Sequence, residues 1–443
     1  MNDELARCLR SLYGLRRFGI KLGLETIREM LAGLGDPQTR FRSIHLAGSN
    51  GKGSVASALA TILGRAGYRV GLYTSPHLVR FNERFCIDGR PVSDEALLTA
   101  HEAVRRLPAG DRSPTFFEFA TAMAFHIFAE AEVDWAVVET GMGGRLDATN
   151  VLVPELSVIT NVSMEHEAYL GATLAAIAAE KGGIVKPKTP VVVGVREAEA
   201  VDVIDGIAAG LEAPLFRLGE HFRAVPGPDG LFRYEGVDGT MEGMRTALSG
   251  GFQVENAALV LASCELIARN GANLSSAAMR AGLAENRWPG RQEVVAENPT
   301  ILLDGAHNLA AARHLAAYLR ETFADRSVTL VAGILDDKPY REMLAALLPV
   351  CRRVVLTRAR NERALPPEIL REVADGFLDD VTIAPDVASA LASARARVAP
   401  TETVCVAGSL YVVGEAKEAL ESEGISAFDL ASARRERFGV DFL

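Results

Sequence analysis

The chain is poor in the features that mark secreted, disulfide-stapled or membrane-spanning proteins. Its five cysteines, Cys8, Cys86, Cys264, Cys351 and Cys405, are scattered over 443 residues with no C-x-x-C pair, so neither a disulfide framework nor a zinc site is supported. They read as small buried hydrophobes. No stretch approaches about 18 consecutive apolar residues, and the N-terminus lacks a basic-then-apolar signal pattern; a cytoplasmic protein without a membrane partner is expected. Positive charge is also short: a net charge of −10 argues against a nucleic-acid surface, so any nucleotide site must be made positive locally. Aromatics reach only 6%, and internal repeats and low-complexity runs are absent. The 49% hydrophobic content nevertheless suffices for a large core shared by two or three domains.

What is present is organised around residues 43–75. Ser43-Ile44-His45-Leu46-Ala47 reads as a buried strand, Gly48-Ser49-Asn50-Gly51-Lys52-Gly53-Ser54 as a tight loop, and residues 55–66 as a helix with Val55, Ala58, Leu59, Ile62 and Leu63 on one face. Glycines let backbone N–H groups converge on an anion at a helix N-terminus, and Lys52 can neutralise it. Gly53 stands where the common phosphate loop carries its magnesium-binding hydroxyl. Ser75, after the strand-like Arg69-Val70-Gly71-Leu72-Tyr73, is the candidate for that missing group.

Downstream, residues 115–129 are apolar on nearly every face, which makes Glu118 conspicuous: it is either paired within the core or part of a site, together with Thr121 three residues on. Asp134-Trp135-Ala136-Val137-Val138-Glu139 is an apolar strand ending in an acid, well placed for Mg²⁺ in an open α/β sheet. Arg145, Asp147 and Asn150 follow in the next loop. A further strand, residues 156–161, precedes Met164-Glu165-His166, where His166 reads as a second-magnesium ligand or as a bystander. The helix 173–181 stops at Gly182-Gly183; there Lys181 would meet the helix dipole and a glycine would supply the C-terminal cap. An antiparallel hairpin is expected within residues 216–239 and an interdomain hinge at Asn286 to Arg291. Beyond the hinge, strands and helices alternate again. The fold class is therefore α/β: an N-terminal domain, 1–287, with a mostly parallel sheet, a phosphate loop and helices on both faces, then a smaller Rossmann-like α/β domain, 288–443.

Taken in order, the glycine loop, Thr74-Ser75-Pro76-His77, Phe81-Asn82-Glu83-Arg84, Phe117-Glu118, Glu139 to Asn150, Glu180-Lys181-Gly182-Gly183, Trp288-Pro289-Gly290-Arg291, Asp304-Gly305-Ala306-His307-Asn308 and Gly408-Ser409 resemble the folylpolyglutamate synthase and dihydrofolate synthase family of the Mur ligase superfamily. The resemblance implies ATP-dependent amide formation between a pteroate or folate carboxylate and L-glutamate. It places Gly48, Asn50, Gly51, Lys52, Gly53, Ser54, Asn256, Arg291, Asp304, His307 and Ser409 around ATP, with Lys52, Glu139, His166 and Lys181 serving catalysis. It also implies two Mg²⁺ ions held by Ser75, Glu139, His166 and a carbamylated Lys181. Phe81, Arg84, Phe117, Glu118, Thr121, Arg145 and Asp147 fall toward the folate. Phe252 stands where the family commonly has His, and Glu165 where it commonly has Asp. A monomer is expected. Two alternatives compete: another Mur ligase acting on a cell-wall nucleotide, disfavoured by Phe81 to Arg84 and Phe117-Glu118 and by no evident extra N-terminal UDP-binding domain, and a non-catalytic nucleotide switch, disfavoured by the lack of an N-K-x-D sequence.

Overall fold

A computed structural model describes residues 3–15, 23–108 and 112–425. The break expected around residues 14–19 falls largely outside them, and the charged tail from Phe428 wholly so. The chain forms two units. One comprises Met1–His77, Phe81–Ala247 and Gly251–Arg287; the other comprises Leu78–Arg80, Leu248–Gly250 and Trp288–Leu443.

The first unit is built on eight strands: β1 (Arg42–Ala47), β2 (Val70–Tyr73), β3 (Phe85–Ile87), β4 (Arg90–Pro91), β5 (Trp135–Glu139), β6 (Leu156–Ile159), β7 (Val191–Val193) and β8 (Leu215–Arg217). Their order is β4-β3-β2-β5-β1-β6-β7-β8, parallel except that β3, near one edge, runs antiparallel to both β2 and β4. The central strands are buried almost throughout and rich in Val, Ile, Leu and Ala, as a sheet covered on both faces demands.

Among the described residues, ten α-helices accompany it: α1 (Asp3–Gly14), α2 (Glu25–Gly33), α3 (Lys52–Arg65), α4 (Asp94–Arg105), α5 (Phe116–Glu130), α6 (Glu167–Leu170), α7 (Leu174–Gly182), α8 (Ala198–Gly210), α9 (Gly251–Arg269) and α10 (Ser276–Glu285). Strand alternation sorts them. Ala136 and Val138 face α1, α2, α4 and α5, and Ile159, Val191 and Val193 on the same side face α7 and α8. Helices α3, α9 and α10 pack together on the opposite side. Helix α9 is long and apolar enough to cross a bilayer by length and composition alone, but it is mostly buried inside this unit. The expected hairpin is a three-stranded antiparallel sheet, β9 (Arg223–Pro226), β10 (Phe232–Glu235) and β11 (Thr240–Met244). It extends past residue 239 because Phe232 and Tyr234 bury one side against α9.

The second unit carries β12 (Glu293–Glu297), β13 (Thr300–Leu303), β14 (Val328–Ala332), β15 (Arg353–Leu356), β16 (Val381–Ile383) and β17 (Thr403–Ala407), in the order β12-β13-β17-β14-β15-β16. Only β12 is antiparallel. Helices α11 (Leu309–Thr322), α12 (Tyr340–Leu347) and α13 (Pro367–Ala374) cover one face; α14 (Val387–Ala396) and α15 (Leu410–Ser422) cover the other.

Candidate active site

The turn after β1 is shaped by contacts that only glycine permits. Gly48 has φ 151° and Gly51 φ 83°; a Cβ on the first would collide with Thr160 Oγ1, and on the second would fall 2.9 Å from Asn256 Oδ1. Residues past the end of β6 pin the loop from behind. Asn50 N–H donates to Asn161 Oδ1 at 2.9 Å, and Asn50 carbonyl oxygen accepts from Thr160 Oγ1 at 2.6 Å and Asn161 Nδ2 at 3.1 Å. The sequence places Thr160 and Asn161 at the end of the strand 156–161 without a site role; the strand stops at Ile159, and polar residues just past a buried strand are the signal for one.

Helix α3 starts at Lys52 rather than residue 55, so Gly53 and Ser54 belong to its first turn and their N–H groups point out of the helix end. Lys52 Nζ donates to Gly48 carbonyl oxygen at 2.7 Å and lies 3.9 Å from Glu139 Oε1. Ser54 Oγ accepts from Gln253 Nε2 at 3.4 Å, and Gln253 Oε1 accepts from Asn256 Nδ2 at 2.9 Å. Asn256, expected around ATP, thus sits against the flank of the loop itself.

Glu139 ends β5 with its side chain on the α3 side of the sheet, since strand residues alternate and Val138 faces α5. Ser75 N–H donates to Glu139 Oε2 at 3.1 Å. Three separate segments therefore bring Lys52, Ser75 and Glu139 together. Hard oxygen donors beside a phosphate loop suit Mg²⁺, which takes one or two protein ligands and completes its shell with phosphate and water. No group of three or more His, Cys, Asp or Glu side chains that could hold a metal gathers among the described residues.

The second proposed metal position is differently furnished. Lys181 Nζ donates to Glu165 Oε1 at 2.6 Å, with the lysine side chain 1% and the glutamate 10% exposed. Burial alone would push the Glu165 carboxyl up, but the Lys181 and Lys52 ammonium groups, with a hydrogen bond from Ser49, hold it down at about 2. As an ammonium Lys181 cannot ligate a cation. The expected glycine cap is present: Gly183 closes α7 with φ −62°, its N–H reaching back to the last turn. Its lack of a side chain serves packing, because a Cβ there would fall 2.5 Å from Arg145 Cα. His166 precedes α6 in a left-handed conformation, φ 46°.

The residues expected near folate divide into two groups. Glu118 completes a capping box at the start of α5: Glu118 Oε2 accepts from Thr115 N–H and Oγ1, both at 2.8 Å, and Arg112 adds a paired contact at 2.6 and 3.0 Å. Thr121 is buried and lies 3.3 Å from Tyr73 Oη. Glu118 is thus occupied capping its own helix, and Thr121 ties α5 to Tyr73 at the end of β2. Phe117, in contrast, stacks on Tyr73 and packs against Gly141, where a Cβ would meet its ring at 2.5 Å. Asp147 Oδ2 accepts from Gly141 N–H at 2.9 Å and Met142 N–H at 3.0 Å. Arg145 pairs with Glu180 at 2.7 Å. Phe81 and Phe116 lie under Arg84, whose guanidinium is 5.6 and 5.3 Å from their centroids and whose Nε donates to His77 Nδ1 at 2.9 Å.

In the second unit, Asp304 follows β13 and accepts from Gln292 and Ala306 N–H groups at 2.9 Å each. Burial pushes its carboxyl up, opposed by the Arg291 guanidinium and these bonds. His307 Nδ1 lies 2.8 Å from Gly305 carbonyl oxygen. Ser409 caps α15, accepting from Val412 N–H. Arg291, Asp304 and His307 thus share one end of this sheet.

Two parallel sheets, one opening on a phosphate loop, are matched by two family models: the Mur ligase middle domain over residues 46–264 and the Mur ligase glutamate ligase domain over residues 290–410. The class is that of the ATP-dependent Mur-type ligases. Among the relatives, dihydrofolate synthase/folylpolyglutamate synthase of Bacillus subtilis is 35% identical over 93% of this chain and 97% of its own length. The Escherichia coli protein of the same name is 34% identical over 95% and 96%. Among solved structures, Escherichia coli FolC in complex with DHPP and ADP aligns with TM-score 0.87 and 32% identity, over 95% of this chain and 98% of that one. The Yersinia pestis bifunctional enzyme complexed with AMPPNP and Mn aligns with TM-score 0.84 and 32% identity, over 94% and 98%. The chain belongs to the dihydrofolate synthase/folylpolyglutamate synthase family of glutamate ligases.

Proposed function

We propose that the protein joins the amine of L-glutamate to the carboxylate of dihydropteroate and, in a second activity, to the γ-carboxylate of a reduced folate. The observation that carries this reading is the convergence of Lys52, Glu139 and Ser75 at the mouth of the phosphate loop. A carboxylate is a poor electrophile at neutral pH. Its oxygen therefore attacks the γ-phosphorus of ATP and ADP departs; the glutamate amine then attacks the acyl carbon, losing a proton and expelling phosphate.

In this reading Lys52 and the N–H groups at the start of α3 hold the transferring phosphoryl group where charge accumulates. Glu139 and Ser75 would hold a magnesium ion, which when bound spreads the phosphoryl charge. A second magnesium near His166 would require Lys181 to leave Glu165 and be carbamylated. Phe81, Arg84, Phe117, Arg145 and Asp147 form the acceptor side, with Glu118 and Thr121 supporting α5 behind them. Arg291, Asp304, His307 and Ser409 are the second unit's own nucleotide-binding candidates, and in the first unit Asn256 steadies the loop. The protein works as a cytoplasmic monomer.

The test is isotopic. With ¹⁸O in the acceptor carboxylate, an acyl-phosphate route delivers one ¹⁸O into the released phosphate; unlabelled phosphate would overturn the route.

A further inference from the structure

His45 has no task in the chemistry above, yet it is costly to keep. It lies in the middle of β1 with 0% exposure, between Ile44 and Leu46, where a buried imidazole must be matched by a partner. Its Nε2 lies 2.8 Å from Thr149 Oγ1, and Thr149 Oγ1 lies 2.5 Å from Asp147 Oδ1. Thr149 N–H donates to the same carboxylate oxygen at 3.0 Å, and the other oxygen takes Gly141 and Met142 N–H groups. Burial pushes the Asp147 carboxyl up, and the four donors that surround it oppose that push by stabilising the carboxylate form.

The direction of the chain follows from proton counting. A carboxylate only accepts, so the single hydroxyl proton of Thr149 goes to Asp147 and its oxygen accepts from His45 Nε2–H. The imidazole is then the neutral Nε2–H tautomer, with Nδ1 buried and lacking a partner among the described residues. This arrangement is a one-way relay from the sheet interior to the loop after Glu139, whose Gly141 packs on Phe117.

We propose that His45 and Thr149 are positioning residues for Asp147, fixing its carboxylate and, through it, the Gly141 and Met142 backbone on the acceptor side of the site. The inference rests on the ligase reading for what the loop binds, but not for the relay itself. A hydroxyl at 149 that accepts from an imidazole and donates to a carboxylate cannot be replaced by a methyl group without leaving Nε2–H unpaired and one lobe of Asp147 underfilled.

Thr149→Val, nearly the same size, is compared with Thr149→Ser, which keeps the hydroxyl. The Val variant is expected to raise KM for dihydropteroate roughly tenfold while KM for ATP stays within about twofold, and Ser is expected to restore the acceptor KM. In ¹⁵N spectra of the ligand-free protein, His45 is expected as the neutral Nε2–H tautomer from pH 6 to 9. Gly141 and Met142 amide signals are expected to move in Thr149→Val and to stay in Thr149→Ser. An Nδ1–H tautomer, unmoved loop amides in Thr149→Val, or an equal loss of ATP and acceptor affinity would each overturn the proposal. If the wild-type protein ligates no glutamate, the ligase reading fails, and the spectra still decide the relay.

Discussion

Lys181 and Glu165, sixteen residues apart, form a buried ion pair at 2.6 Å, with the ammonium of a helix's last turn turned into the protein rather than toward solvent. Removing one partner of such a pair leaves an uncompensated charge in low dielectric. Glu165→Gln is expected to destabilise the fold by about 3 kcal/mol, within the range for broken buried pairs. Urea unfolding at pH 7 checks this; a change under about 0.5 kcal/mol, the scale of exposed pairs, would mean that the two groups do not depend on each other.

Gly183 is where the loop after Glu139 meets the helix end carrying Lys181. Its φ of −62° suits any residue, so the cost of a side chain is steric: Gly183→Ala drives a methyl group into the Arg145 backbone. A loss of about 1–3 kcal/mol is expected from overpacking. Asn150 Nδ2 donates to the carbonyl oxygens of both Arg145 and Gly183. Glutamate ligation should therefore fall with stability, measured by thermal unfolding alongside activity.

His45 gives the fold an acid sensitivity. Burial, with the nearby Lys186 charge, holds its imidazole at about 3, whereas in the unfolded chain it titrates near 6.5. The folded state stays neutral while the unfolded state takes a proton, so this contribution is complete above pH 6.5 and drains away as pH falls toward 3. Between pH 6.5 and 5.5 the wild-type protein should lose about 1 kcal/mol relative to His45→Gln. Paired urea titrations at those pH values check the sign.

Glu118→Gln tests whether that carboxylate serves the helix or the ligand. Loss of the charged cap and of the Arg112 contact should cost about 1–2 kcal/mol. The acceptor KM should remain unchanged. A tenfold rise in that KM without loss of stability would return Glu118 to the binding site.

The sequence made some of this legible and hid the rest for physical reasons. Local signals carried the strand ending in Glu139, the phosphate loop and the alternation of the second unit, because each lies within one stretch of chain. The Thr115-Phe116-Phe117-Glu118 capping box was equally local and could have been recognised by its spacing; the apolar surroundings of Glu118 drew attention to a ligand instead. The pairing of Glu165 with Lys181, the pinning of Asn50 by Thr160 and Asn161, and the line from His45 to Asp147 depend on strand order, with β5 and β6 on either side of β1. No periodicity encodes that order. Gly183 caps its helix as a glycine there suggests, but its close approach to the Arg145 backbone depends on a distant stretch of chain and leaves no local signal.

The central claim is tested most directly by ATP-dependent incorporation of labelled L-glutamate, with Mg²⁺, into dihydropteroate and separately into reduced folate monoglutamate, with Lys52→Ala as the comparison. Product from both acceptors with the wild-type protein, falling at least about a hundredfold in Lys52→Ala, is the predicted result. No product from either acceptor, in a protein that still binds ATP, would contradict it.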